Sequence, residues 1–201
     1  MAFSPAQVTA LVVATSFAAG LNVYATIATL GLLARADIVP LPAGLAVLAS
    51  WPVIGASAAL YLVEFVADKI PAVDLVWNAL QTFVRVPVAA WLSYGATMQL
   101  STGEQLPATT LGAVVALAAH GGKTAARVAV TPSPEPFSNI ALSLGEDALA
   151  VFITWLAVRH PFWAAGIAAL LLVIIVSVAR TVVRAVRAVF RGAATGALRA
   201  D

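Results

Sequence analysis

The sequence has no cysteine, two histidines and little charge, with Asp, Glu, Lys and Arg making up 10% of its 201 residues. Without cysteine there are no disulfides and no thiol catalysis, and redox compartment cannot be read. A soluble domain carries charge on about a quarter of its residues, so water is the wrong solvent for this surface. The catalytic signatures that a sequence can display are missing too. There is no Gly-x-Ser-x-Gly elbow and no His-Glu-x-x-His helix. Gly121-Gly122-Lys123-Thr124 ends like a phosphate-binding loop, but Leu117 stands where the upstream glycine belongs and no strand precedes it.

What is present is hydrocarbon. Hydrophobic residues make up 62% of the chain, mean hydropathy is +0.98, and the apolar residues form stretches of about 20 broken by proline or charge. Short alternating segments of the kind that build membrane barrels do not occur. The expected fold is an all-α, polytopic membrane helix bundle of about six transmembrane helices, kinked at prolines. The expected spans run from Ala6 to Leu33, from beyond Pro42 to Val66 with a kink at Trp51-Pro52, and from Leu75 to Gln99 with Asp74 as N-cap. They continue from Pro107 to Val130, Ser138 to Val158 and Phe162 to Ala179. Residues 1–179 then form one bundle, and 180–201 a basic amphipathic helix and tail. The N-terminus has no Lys or Arg and too long an apolar run for a signal peptide, so the first span is read as retained.

Orientation follows from Lys and Arg. With six spans, Lys69, Lys123, Arg127, Arg180, Arg184, Arg187, Arg191 and Arg199 fall on one side, and only Arg35 and Arg159 on the other. The positive-inside rule places that first side, and both termini, in the cytoplasm of a cell whose inner membrane holds the protein. The pI near 9.4 is explained by this placement rather than by nucleic-acid binding. His120 and His160 fall on opposite sides, so no histidine metal cluster is expected, and no motif calls for a cofactor.

Residues three, four and seven apart share a helix face. Thr15, Asn22, Thr26 and Thr29 align in the first span, with Tyr24 nearby, and Tyr61, Glu64 and Asp68 align in the second. The third carries Asp74, Asn78, Gln81 and Arg85, with Arg85 about 16 Å above Asp74. The fourth carries His120, Lys123 and Arg127, and the fifth Asn139, Ser143 and Glu146 with Asp147 beside them. The sixth is almost purely apolar from Ala164 to Val176, which puts it on the lipid side. The acidic stripe of the second span and the basic stripe of the fourth lie at similar depth and can face each other.

Two readings compete for this polar interior. In the structural one, Glu64, Asp68, Glu146 and Asp147 pair with Arg85, His120, Lys123 and Arg127 to hold the bundle. In the functional one, these eight with Asn22 and Tyr24 bind a ligand. A dominant basic stripe selects a small anionic or lipid-linked solute for a carrier or binding protein, the leading expectation. Dominant acids select a cation or proton. An enzyme using Glu64 with His120 has no motif behind it. Beyond the last span, Arg180, Arg184, Arg187 and Arg191 repeat at four, three and four residues, a basic face suited to anionic lipid headgroups. A bundle this small is also a candidate homo-oligomer.

Glu64-Phe65-Val66-Ala67-Asp68-Lys69 resembles the Glu-x-Gly-Asp-Lys/Arg signature of a family of cation/proton exchangers, one residue too long and without the glycine. A closer resemblance covers residues 10–160. Gly20-Leu21-Asn22-Val23-Tyr24, Phe65-Val66-Ala67-Asp68-Lys69-Ile70-Pro71 with Asp74 and Trp77, and Thr82 with Arg85 and Pro87 carry its first half. Ala119-His120 with Lys123 and Arg127, then Ser133-Pro134-Glu135-Pro136-Phe137-Ser138-Asn139, carry the second. In these segments the chain resembles a family of small bacterial integral membrane proteins catalogued as a domain of unknown function. The resemblance implies a helical membrane fold and brings no activity with it.

Overall fold

The computed structural model describes the backbone of residues 3–130 and 136–197; side chains are described to Arg127 and from Ile140 to Arg184, except those of residues 71, 72, 75, 182 and 183. Among the described residues the secondary structure is entirely helical. The helices are α1 (Pro5–Leu21), α2 (Val23–Arg35), α3 (Trp51–Ala67), α4 (Pro71–Thr97), α5 (Thr102–Val130), α6 (Pro136–Arg159) and α7 (Pro161–Ala197), with a 3-10 segment at Ala43–Ala49. The run Thr131–Glu135 lies outside the described residues, as do the side chains of Asn139, Arg187 and Arg191.

The first expected span is two helices, not one. Asn22 leaves the helical region at φ −151° and ψ 104°. Its N–H closes α1 on the Ala18 carbonyl at 2.9 Å, while its side-chain oxygen accepts from Ala25 N–H at 2.9 Å and caps α2. An amide side chain that can satisfy the next helix's free N–H groups competes with a continuous ladder. The expected kink at Trp51-Pro52 is present, with the 3-10 segment and α3 meeting at a 68° bend. Pro52 lacks a donor but fits the first turn, where no donor is needed.

Two other boundaries differ from expectation because the helices start earlier. Asp74 is not an N-cap, because Pro71 starts α4 a turn earlier and leaves Asp74 in the first turn. Pro107 does not open α5. The Glu104 carboxylate accepts from the Ser101 hydroxyl at 2.6 Å and from its N–H at 3.1 Å, so the helix starts at Thr102 and Pro107 sits inside it. The last helix runs unbroken from Pro161 across the expected end at Ala179.

α1 is the buried centre, and α4, α5, α6 and α7 pack around it. Gly20 makes its contact with α5 possible, since a Cβ there would lie 2.5 Å from the Ala116 oxygen and 2.7 Å from the Ala119 Cβ. One contact between α1 and α4 is a hydroxyl pair, Ser16 Oγ to Ser93 Oγ at 3.0 Å. A Cβ on Gly112 would strike both hydroxyls, so α5 closes on them only as glycine. α7 is the outer helix, with Leu170, Val173, Ile174 and Val178 exposed.

The distribution of polarity is inverted relative to a soluble protein. Phe83 is 80% exposed, while Arg85, two residues on, is 0% exposed. Leu62, Val76, Leu106 and Trp163 face outward, while Glu64, Asp74, Arg85, Lys123, Arg127, Glu146 and Asp147 on α3 to α6 face in. Residues 140–159 and 161–181 are long and apolar enough to cross a membrane, and the bent pair at 43–67 adds a third span if counted as one. α1 and α2 are each too short alone, and the polar stripes of α4 and α5 dilute their apolar character. The chain is a membrane-associated helical bundle.

Candidate functional site

Every helix from α3 to α6 brings charged side chains to one buried cluster beside the break between α1 and α2. The acidic stripe of α3 does face the basic stripe of α5. Lys123 Nζ lies 3.3 Å from Glu64 Oε1, 3.3 Å from Asp68 Oδ2 and 3.5 Å from Glu146 Oε2. The Arg127 guanidinium contacts Asp68 at 2.8 Å, Asp74 at 2.9 Å and Glu146 at 2.6 Å. It also donates to the Asp68 carbonyl at 3.2 Å, and the Ser143 hydroxyl donates to the Asp68 carboxylate at 3.4 Å. Arg85 from α4 is paired with Glu64.

The helix break supplies more partners. Stopping α1 at Leu21 leaves its last carbonyls without intrahelical donors. Arg85 Nη1 donates to the Gly20 carbonyl at 3.1 Å, and Lys123 Nζ to the Leu21 carbonyl at 3.1 Å. Two cations therefore sit at the negative end of a half-helix, as its dipole favours. On the other side of the break, Asn22 Nδ2 donates to Asp147 Oδ1 at 2.8 Å, placing a carboxylate beside the positive end of α2. The Tyr61 hydroxyl donates to Asp147 Oδ2 at 3.4 Å.

His120 is held as a neutral ring by its neighbours. Arg85 Nη1 donates to Nδ1 at 2.9 Å, so Nε2 carries the hydrogen, facing the Asn78 carbonyl at 3.1 Å and Thr82 Oγ1 at 2.8 Å. Arg85 stands between His120 and Glu64, so the two do not form the acid–base pair considered from the sequence. Tyr24 lies outside the ion network, where its hydroxyl accepts from Gln81 Nε2 at 3.2 Å.

Nine of the ten candidate interior residues thus come together: Asn22, Glu64, Asp68, Arg85, His120, Lys123, Arg127, Glu146 and Asp147. Asp74 belongs with them. Its place on the Asp74–Asn78–Gln81–Arg85 stripe signalled this, and reading it as a cap obscured the signal. Nothing in the sequence identified the Gly20 and Leu21 carbonyls as participants. Arg180 and Arg184 are exposed on α7.

Acids outnumber bases. Among the described residues, buried Glu64, Asp68, Asp74, Glu146 and Asp147 face Arg85, Lys123 and Arg127, five carboxylates against three bases, a formal charge of −2 with His120 neutral. Each of the three bases is committed to a carboxylate. Acceptors are also in excess: among the described residues Glu64 Oε2, Asp74 Oδ2, Asn78 Oδ1 and Gln81 Oε1 meet no donor, against two unmatched donors on α4, Trp77 Nε1 and Arg85 Nε. No group of three or more His, Asp or Glu side chains among the described residues is arranged to hold a metal ion.

An apolar exterior around a buried, net-acidic ionic core defines a class of membrane-associated helical protein with a polar interior. The chain belongs to the DUF4126 family, a domain of unknown function whose profile matches residues 9–181. It matches no curated protein and no solved structure.

Proposed function

We propose that the protein is a membrane carrier of the cation/proton-exchange class whose buried cluster takes up protons or a monovalent cation. The observation that carries this reading is the charge ratio, five carboxylates to three bases inside the bundle. Two uncompensated negative charges cannot stay bare in a low-dielectric interior, so protons or a cation must neutralise them. The anionic solute that led the sequence expectations has little support by comparison, because Arg85, Lys123 and Arg127 are each occupied by carboxylates.

The broken helices support the same reading. The α1/α2 break and the bend before α3 each join two short helices, and freed carbonyls at the first break point at the cluster. Discontinuous helices whose ends meet a buried site are a recurrent way to bind and release ions. Counting each broken pair as one span gives six crossings. With Lys123 and Arg127 set aside as members of the buried cluster, the bias of Lys and Arg is six to two, and it supports cytoplasmic termini in the inner membrane, with the α7 arginines on anionic lipid headgroups. Self-association is an accompanying proposal.

The test is proton flux in proteoliposomes carrying an internal pH dye. An imposed gradient of Na⁺, K⁺ or an organic ammonium ion should drive proton counter-movement, and Glu64→Gln should abolish it in protein that still folds. Absence of proton movement with every such cation would overturn the proposal.

A further inference from the structure

We propose that the open groove between α3 and α6 binds a lipophilic organic cation through the Asp147 carboxylate at its inner end. The exchange of that cation for protons rests on the cation/proton reading above, to which the groove adds the substrate class.

The groove has a volume of about 590 Å³, in the range of drug-sized ligand sites. Tyr61 closes one side, and Leu144, Val151, Phe152 and Trp155 form the rest, with Asp147 at the inner end. The rings of Phe152 and Trp155 stand 6.1 Å apart at 34° and are both partly exposed. Such a wall offers hydrocarbon and π faces, the surface that an organic cation uses and a hydrated inorganic ion does not.

Asp147 differs from the other four carboxylates of the interior. Glu64, Asp68, Asp74 and Glu146 each pair with arginine or lysine. Asp147 is 4% exposed, and its partners, the Asn22 amide and the Tyr61 hydroxyl, are neutral. No cation among the described residues stands at ion-pair distance from it. Lys69, at the nearby turn, directs its ammonium to the Phe65 carbonyl at 2.8 Å and to the Phe65 ring instead. A buried carboxylate held by neutral donors alone is incompletely compensated. A positive headgroup in the groove supplies the missing charge while its apolar body covers the aromatic wall. A lipid tail or a second copy of the chain would cover the wall and leave Asp147 as it is.

The experiment is equilibrium dialysis of the purified full chain in detergent against tetraphenylphosphonium, with tetraphenylborate as the probe of the same shape and opposite charge. Wild type should bind the cation saturably and not the anion. Asp147→Asn should weaken binding about tenfold or more, as expected for loss of a charge-assisted contact. Val151→Trp, which fills the groove while keeping the carboxylate in the chain, should weaken it as well, so the inference stays testable if Asp147→Asn misfolds. Equal binding of both ions, unchanged binding in either folded variant, or exclusion of the cation by a dimer cross-linked at Val151→Cys would overturn it. Proton flux retained without phosphonium binding removes the groove inference and leaves the exchange reading. Phosphonium bound through Asp147 without proton flux does the reverse.

Discussion

Glu64 on α3 and Arg85 on α4 meet as an ion pair with neither side chain exposed to solvent, and each is anchored a second time, Glu64 by Lys123 and Arg85 by the Gly20 carbonyl. A buried pair of this kind contributes little net stability compared with a packed apolar pair, but removing one partner strands the other. Arg85→Leu alone should therefore destabilise the bundle by about 3 kcal/mol or more. Glu64→Leu combined with Arg85→Leu should recover a large part of that loss, since Lys123 keeps Asp68 and Glu146. Thermal unfolding in detergent of both single variants and the double checks this; strictly additive losses would count against the pairing.

The close approach of α1 and α5 gives a sharper packing test. Gly20→Ala forces a methyl to within 2.5 Å of a backbone oxygen, and neither helix backbone can yield cheaply. A loss of roughly 1–3 kcal/mol is expected from overpacking. Gly121 lies on the same helix that Gly20 touches but faces open space. Gly121→Ala should be neutral or stabilising, by up to about 1 kcal/mol from helix propensity. Equal melting temperatures for the two variants would mean that α1 and α5 do not touch at Gly20.

Asn22 does two jobs that substitutions can separate. Asn22→Ala loses both the cap on α2 and the bond to Asp147, for a cost of about 1–2 kcal/mol. Asn22→Asp keeps a capping oxygen but turns the donor facing Asp147 into a second carboxylate. It should be the more damaging change at neutral pH, although Asp is by far the better cap. Comparable melting temperatures for Asp and Ala at this position would mean that the contact with Asp147 contributes nothing.

The cap at the start of α5 predicts a pH dependence. The Ser101 hydroxyl, and then the Ser101 N–H, hold the exposed Glu104 carboxyl below its ordinary range. A depressed folded value means that the stabilisation is present above the unfolded carboxylate pKa and is lost as pH falls through the folded value. Wild type should melt above Glu104→Ala at neutral pH, with the gap narrowing in acid. A gap independent of pH would mean that the carboxylate's charge is irrelevant to the cap.

Much of the interior was legible as helical spacing. Glu64 and Asp68, or Lys123 and Arg127, fall on one face because four residues make about one turn, whatever surrounds them. Their shared depth followed from span order, so the facing of the two stripes was predictable before any contact was known. The proline boundaries were harder. Pro71 and Pro107 are equally plausible first residues of a helix, and the Ser101–Glu104 cap decided the second case by starting α5 earlier.

Composition and periodicity determined the class of this protein: too little charge for water, too much hydrocarbon for anything but helices against lipid, and a polar stripe on nearly every helix. Those properties belong to single residues and their neighbours along the chain. The tertiary structure decided what the stripes add up to. Whether Asn22 interrupts a helix, whether the freed Gly20 and Leu21 carbonyls take up Arg85 and Lys123, and whether Asp147 finds a cation depend on residues up to 125 positions apart. The charge of the enclosed cluster is a sum over four segments of chain, and only their packing fixes which groups are enclosed together.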